Sequence, residues 1–176
     1  SPDLVAFSSL TNLYPYATEF VSQLKKELDV PFIIGGAHAT VVPEFVIKNK
    51  NFDMLCIGES EEALLELVNN LEKSTIKNIW FKKNNKIIKN PLRPLIKDLD
   101  KLPFPDKDLF YKYGSFTDMV TVMTGRGCHF DCTFCNHHLY KRMFKSKHYT
   151  RRRSPENVIV ELKLYMKKYN IKKVDF

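Results

Sequence analysis

Three of the four cysteines of this 176-residue chain, Cys128, Cys132 and Cys135, lie in one short stretch at C-x3-C-x2-C spacing. A loop this short can aim three thiolates at one point, and cysteine thiolates, usually four of them, hold iron–sulfur clusters. Three ligands leave one iron of a four-iron cluster without a protein ligand. An open coordination position separates a catalytic metal site from a closed structural one. Gly125 and Gly127 let the backbone turn tightly just before Cys128. Zinc is the competing metal, with His129, His137 or His138 as fourth ligand, but zinc sites usually pair Cys as two separated C-x2-C knuckles. A disulfide fits worse, because the clustered Cys are odd in number and nothing indicates secretion.

A second set of residues could bind a bulky ligand. Ser8-Ser9-Leu10-Thr11, Gly35-Gly36-Ala37-His38-Ala39-Thr40 and Gly58-Glu59-Ser60-Glu61 each follow a short apolar run. Those runs, within 3–8, 31–34 and 53–57, read as buried strands, and the segments between them carry helical spacing. Helices are expected from Pro15 to Asp29, from Pro43 to Lys48, and from an N-cap at Ser60 through Leu71. Strand–helix alternation with continuous apolar strands predicts a parallel sheet covered on both faces. Ligands of such sheets sit beyond the carboxyl ends of the strands, where the three polar turns fall.

The stretch Thr124–Cys135 resembles the cluster loop of radical S-adenosylmethionine (SAM) enzymes, in its Cys spacing, its Arg126-Gly127-Cys128 lead-in and Phe134 before the last Cys. The resemblance implies a [4Fe-4S] cluster on Cys128, Cys132 and Cys135. It implies that the open iron chelates SAM, that one electron cleaves SAM to methionine and a 5′-deoxyadenosyl radical, and that Phe134 packs beside the adenine. The upstream half resembles the cobalamin-binding domain that precedes this core in a large subgroup. The matching residues are Ser8 and Leu10 as Ser-x-Leu, the Gly35-Gly36 pair, and Gly58-Glu59. In related domains the first two line the pocket for the cobalamin nucleotide tail. His38 reads equally as a cofactor contact or a turn cap. A degenerate domain that keeps the fold and binds nothing is the alternative.

The implied architecture is α/β: a partial flavodoxin-like (Rossmann-type) sheet domain over 1–90, a Pro-rich linker over 91–117, and the opening β/α units of a TIM-like radical SAM barrel over 118–176. The implied chemistry is methyl transfer to an unactivated centre using cobalamin. Relatives also catalyse rearrangements and cyclisations, including an oxygen-independent ring closure in chlorophyll precursors. A tRNA methylthiotransferase, or a non-catalytic cobalamin- or zinc-binding module, is the alternative. A small-molecule substrate and an electron donor of flavodoxin or ferredoxin type are the implied partners.

The chain opens and closes on strand-like runs and reads as a piece of a longer protein; the resemblance implies further strands before residue 1 and a glycine-rich SAM segment after residue 176. No apolar run approaches the ~20 residues of a membrane helix, and the four Cys suit a reducing cytoplasm. The net charge of +8 divides into −6 over residues 1–70, from ten acids and four Lys, and +14 over the rest. Lys141, Arg142, Lys145, Lys147, Arg151, Arg152 and Arg153 form a run without an acid, read as a solvated face or a wall near an anionic ligand rather than a nucleic-acid site. Ile79–Lys83 and Lys86–Lys89 predict a hairpin turning at Asn84-Asn85, with Trp80 covering the core edge. Cys56 reads as a buried hydrophobe. Ser154-Pro155-Glu156 predicts a helix start, followed by a core stripe of Val158, Ile159, Leu162, Tyr165, Met166 and Tyr169 and then a strand from Ile171.

Overall fold

The computed structural model describes residues 2–84, 86–146 and 148–176. The chain divides into two compact units, the first ending at Pro94 and the second spanning Leu95–Phe176.

In the first unit β1 (Val5–Ser8), β2 (Phe32–Gly35) and β3 (Met54–Cys56) run parallel, with β2 between the other two. Strand alternation puts Ile33, Met54 and Cys56 on one face. There they pack with Ala63 and Leu67 of α4 (Glu61–Asn69) and with Ile76, Ile79 and Phe81. Phe32, Ile34 and Leu55 point to the other face and are fully buried. On that face lies α1 (Tyr14–Glu27), whose Lys25 ammonium stands 5.4 Å from the centre of the Phe32 ring. Burial of both faces is why β2 and β3 are uninterrupted apolar runs. At the amino ends of these strands Asp53 accepts from Lys25 at 3.0 Å and from the Phe32 N–H at 2.9 Å. The hairpin of β4 (Ile79–Lys83) and β5 (Lys86–Lys89) docks antiparallel on β3, so the sheet is mixed, in the order β1-β2-β3-β4-β5. Asn84 takes the positive φ expected of the hairpin turn, at 50°; Asn85 lies outside the described residues.

Three local expectations change. The Gly36–Thr40 stretch is helical, forming α2 (Gly36–Val41), and the helix after it, α3 (Pro43–Val46), stops short of Lys48. The Thr40 hydroxyl donates to the Gly36 carbonyl at 2.9 Å and winds the segment on itself. Ser60 stands at the start of α4 but its side chain makes no capping bond, because its backbone is already turned into the helical region. Glu61 and Glu62 supply the favourable charge there.

In the second unit β6 (Met119–Thr121) and β9 (Lys173–Asp175) pair in parallel, with α7 (Pro155–Lys168) between them in sequence. The Ser154 hydroxyl accepts from the Asn157 N–H at 3.1 Å, so α7 is capped as its sequence predicts. Val120, Val122, Val158, Tyr165 and Tyr169 form the core. Ile159 and Met166 of the expected stripe are exposed, so the buried face is narrower. The Pro-rich stretch holds α5 (Asp108–Lys112) and is fastened to α7. The Tyr165 hydroxyl donates to the Pro105 carbonyl at 2.8 Å, and the Asp100 carboxylate accepts from the Ser154 N–H at 3.0 Å. Three elements lack a strong sequence signal: β7 (Gly125–Arg126) and β8 (Arg151–Arg152), which pair antiparallel, and α6 (His137–Phe144).

Candidate functional site

The carboxyl ends of β1, β2 and β3 are joined by hydrogen bonds from one turn to the next. The Ser9 N–H donates to the Gly35 carbonyl and the His38 N–H to the Ser9 carbonyl, both at 3.1 Å. The Thr40 hydroxyl, donating to Gly36, also accepts from the Gly58 N–H at 2.9 Å. One small side chain thus ties the second turn to the third. The three predicted turns therefore share one rim. Ser8 and Leu10 stand exposed on it, Leu10 at 55%, while Gly35, Gly58 and Glu59 are half-buried.

His38 is buried at this rim. Its Nδ1 lies 3.2 Å from the Thr11 hydroxyl and its ring centre 4.3 Å from that of Tyr14. Burial lowers its pKa from the ordinary histidine value, which favours the neutral ring. Its Nε2 is buried with no hydrogen-bond partner among the described residues. An orphaned buried nitrogen on the turn that shares a rim with the exposed Ser8 and Leu10 fits a ligand that brings polar groups there. In that respect the residues present suit the nucleotide tail of cobalamin.

The two glycines differ. A methyl group at Gly35, which has extended backbone, would meet Cys56 at 3.7 Å and the Phe7 carbonyl at 3.9 Å, both ordinary contacts. At Gly36, φ is +88°, and a methyl group would lie 2.7 Å from the Ser8 hydroxyl and 2.8 Å from the Ser9 N. Gly36 is therefore required by the close approach of the β1 end, whatever passes above it.

Asn78 carried no sequence signal, yet it fixes the third turn. Buried and at φ +70°, it accepts from the Ile57 N–H at 2.8 Å through its carbonyl. Its side chain donates to the Glu59 carbonyl at 2.7 Å and accepts from the Arg93 N–H at 2.6 Å. Asn78→Ala removes both side-chain bonds and the polar side chain that lets Asn tolerate this positive φ. It should cost about 2–4 kcal/mol in urea unfolding.

In the second unit the cysteine loop starts against the segment 149–153. A methyl group at Gly125 would lie 2.7 Å from the Arg151 carbonyl, and one at Gly127, where φ is +89°, would land on the Tyr149 carbonyl. These glycines permit a close approach between chain segments as well as a turn. The Arg153 N–H donates to the Thr124 carbonyl at 2.9 Å and its guanidinium to the Met123 carbonyl at 3.0 Å. The same guanidinium pairs with Glu161, which is 1% exposed. Arg151 reaches the Ile96 carbonyl at 2.6 Å. The basic run is therefore not one solvated face: Arg151 and Arg153 are spent inside the unit, Arg142, Lys145 and Arg152 are exposed, and Lys147 lies outside the described residues.

Cys128 and Cys135 are half-buried and Cys132 is exposed, all as free thiols. The Cys135 N–H donates to the Cys132 carbonyl at 3.0 Å, which folds the C-x2-C half into a turn. Among the described residues no three His, Cys, Asp or Glu side chains are gathered as metal ligands. The donor set itself, three thiolates on one loop, fits an iron–sulfur cluster. Of the histidines open to zinc, His137 already has Nδ1 2.6 Å from the Tyr149 hydroxyl. Phe134 is 91% exposed, a bare ring beside Cys135.

Residues 1–68 match the B12 binding domain family, a span that contains every rim residue from Ser8 to Glu59. An uncharacterized methyltransferase of Pyrococcus horikoshii is 34% identical over 99% of this chain and 39% of its own length. The anaerobic magnesium-protoporphyrin IX monomethyl ester cyclase of Rubrivivax gelatinosus is 27% identical over 97% of this chain and 32% of its own length. The fold superposes with a TM-score of 0.74 on the cobalamin-dependent S-adenosylmethionine radical enzyme OxsB, solved with aqua-cobalamin and S-adenosylmethionine bound. That match is 20% identical and covers 99% of this chain and 25% of that one. The chain thus spans well under half the length of the relatives it matches, and its residues 1–68 carry the match to the B12 binding domain family.

Proposed function

We propose that this chain brings together the cobalamin-handling and cluster-handling parts of a radical SAM enzyme that transfers a methyl group to an unactivated centre. Residues 1–90 serve cobalamin, 91–117 connect, and 118–176 open the radical SAM core, with β6 and β9 as the first strands of a β/α barrel. Ser8, Leu10, Gly35, Gly36, His38, Gly58 and Glu59 form the cobalamin rim. Cys128, Cys132 and Cys135 are the [4Fe-4S] ligands, and the exposed Phe134 ring offers a stacking face for the adenine of SAM. Cobalamin and SAM, when bound, supply the methyl group and the hydrogen-abstracting radical. The chain's own residues bind and orient them. Methyl transfer is favoured over ring closure because the methyltransferase relative carries the higher identity. The substrate is a small molecule, and an electron donor of flavodoxin or ferredoxin type works with the enzyme in a reducing cytoplasm. Among the described residues no helix is long and apolar enough to cross a membrane.

The observation that carries the proposal is the single rim formed by three strand ends, with an orphaned His38 nitrogen on it. Gly35→Ala tests it, because the protein itself tolerates a methyl group there. The variant should fold with unchanged stability and bind cobalamin roughly tenfold or more weakly, read from the visible spectrum on titration. Unchanged affinity in the folded variant places the cofactor elsewhere. Gly36→Ala is unsuitable for this purpose, since it strains the fold directly.

A further inference from the structure

The gap between Cys128 and Cys132 holds three residues, and one ammonium group touches all three. Lys141 of α6 donates from Nζ to the His129 carbonyl at 2.9 Å, to the Phe130 carbonyl at 3.0 Å and to the Asp131 carboxylate at 2.8 Å. A lysine ammonium has three protons, and all three have acceptors here. The same ammonium lies 6.0 Å from the ring centre of Tyr149, the residue whose carbonyl presses against Gly127. The first gap of the cysteine loop is therefore wrapped around a fixed point on a helix rather than held by backbone bonds of its own.

We propose that Lys141 is a positioning residue for the cluster: by pinning the three intervening residues it sets the spacing and direction of the Cys128 and Cys132 thiolates. This rests on the cluster reading of the loop. A compact ammonium suits three oxygens converging from successive residues. A planar guanidinium does not, because its donors are spread in a flat fork. Held this way, the backbone between the two cysteines is already ordered, and less of the loop remains to be ordered when iron binds. The interaction is distinct from the Arg153–Glu161 pair, which holds the loop only at its entry.

The test is anaerobic iron and sulfide reconstitution of the wild type, Lys141→Met, Lys141→Arg and Asp131→Asn. Iron content, the band near 400 nm, the electron paramagnetic resonance spectrum of the reduced cluster and the rate of iron loss to a chelator are measured on each. Melting of the iron-free protein is recorded in parallel. Lys141→Met should lose iron at least about tenfold faster than wild type, the scale of outer-shell effects on metal affinity. Its iron-free melting should change far less than its iron loss, because the three contacts hold only residues 129–131 and leave the core of the unit untouched. Lys141→Arg should fall between the two with an altered resonance spectrum, and it reads the effect if Lys141→Met does not fold. Asp131→Asn keeps both carbonyl contacts and should lose iron more slowly than Lys141→Met. Wild-type iron retention and spectrum in a folded Lys141→Met or Lys141→Arg chain overturn the proposal alone. A wild type that takes up no iron overturns the cluster reading and this proposal with it.

Discussion

Reconstituted anaerobically with iron and sulfide, the wild-type chain should hold about four irons with a charge-transfer band near 400 nm, and Cys132→Ala should hold almost none. Cys132 is the most exposed of the three loop thiols and the middle ligand of the set, and its loss leaves two thiolates. Cys128→Ala and Cys135→Ala should behave alike, since a two-thiolate loop cannot retain the cluster. Cys56→Ala should keep all the iron. Burial in the sheet pushes the Cys56 thiol up to about 12, so it stays protonated where a ligand must be a thiolate. Full iron in Cys132→Ala would end the cluster assignment, and zinc in place of iron would favour the binding-module alternative.

Removing the Glu161 carboxylate should give the largest loss of stability in the second unit. Its Arg153 partner is largely buried and also holds the Asn157 side chain at 2.6 Å and the Met123 carbonyl. Glu161→Ala leaves that guanidinium without its counter-charge. Breaking one side of such a pair costs about 3–5 kcal/mol, whereas replacing both sides by apolar groups of similar size is often near neutral. Glu161→Ala should therefore unfold at markedly lower urea in the iron-free chain, and the double variant Arg153→Met, Glu161→Leu should regain much of the difference. Equal losses in the single and double variants would show that Arg153 matters through its contacts to the loop entry and Asn157 rather than through its charge.

Strands β2 and β3 are legible in the sequence because both of their faces are buried, which leaves unbroken apolar runs. The hairpin is legible through its paired runs, and the start of α7 through Ser154 and Pro155. What escapes the sequence is set by tertiary contacts. Nothing local marks Glu161 as buried; its partner stands eight residues earlier, on the far side of the helix cap. Asn78 looks like a loop residue until the β3 turn and the Pro91–Arg93 backbone close on it. The two-residue strands β7 and β8 carry no periodicity at all. Helix α6 did leave a trace, since Leu139, Tyr140, Met143 and Phe144 recur at helical spacing, but the charges interleaved with them obscure it. The rim and the cysteine loop are legible as residue types. Which glycine is spare and which is obligatory follows only from how closely the segments approach.

The hairpin has a consequence for how the sheet meets its surroundings. Its outer strand, β5, ends the five-stranded order and has no further strand partner among the described residues. Such an edge would template the addition of another chain. The sequence along it is Lys86-Ile87-Ile88-Lys89, a short apolar pair between two exposed ammonium groups. Lys89 is anchored, paired with Glu44 and placed 4.8 Å over the Trp80 ring. A second copy adding antiparallel in register would bring Lys86 of each chain opposite Lys89 of the other, and like charges facing across strands repel. The lysines at its two ends therefore oppose self-association along β5.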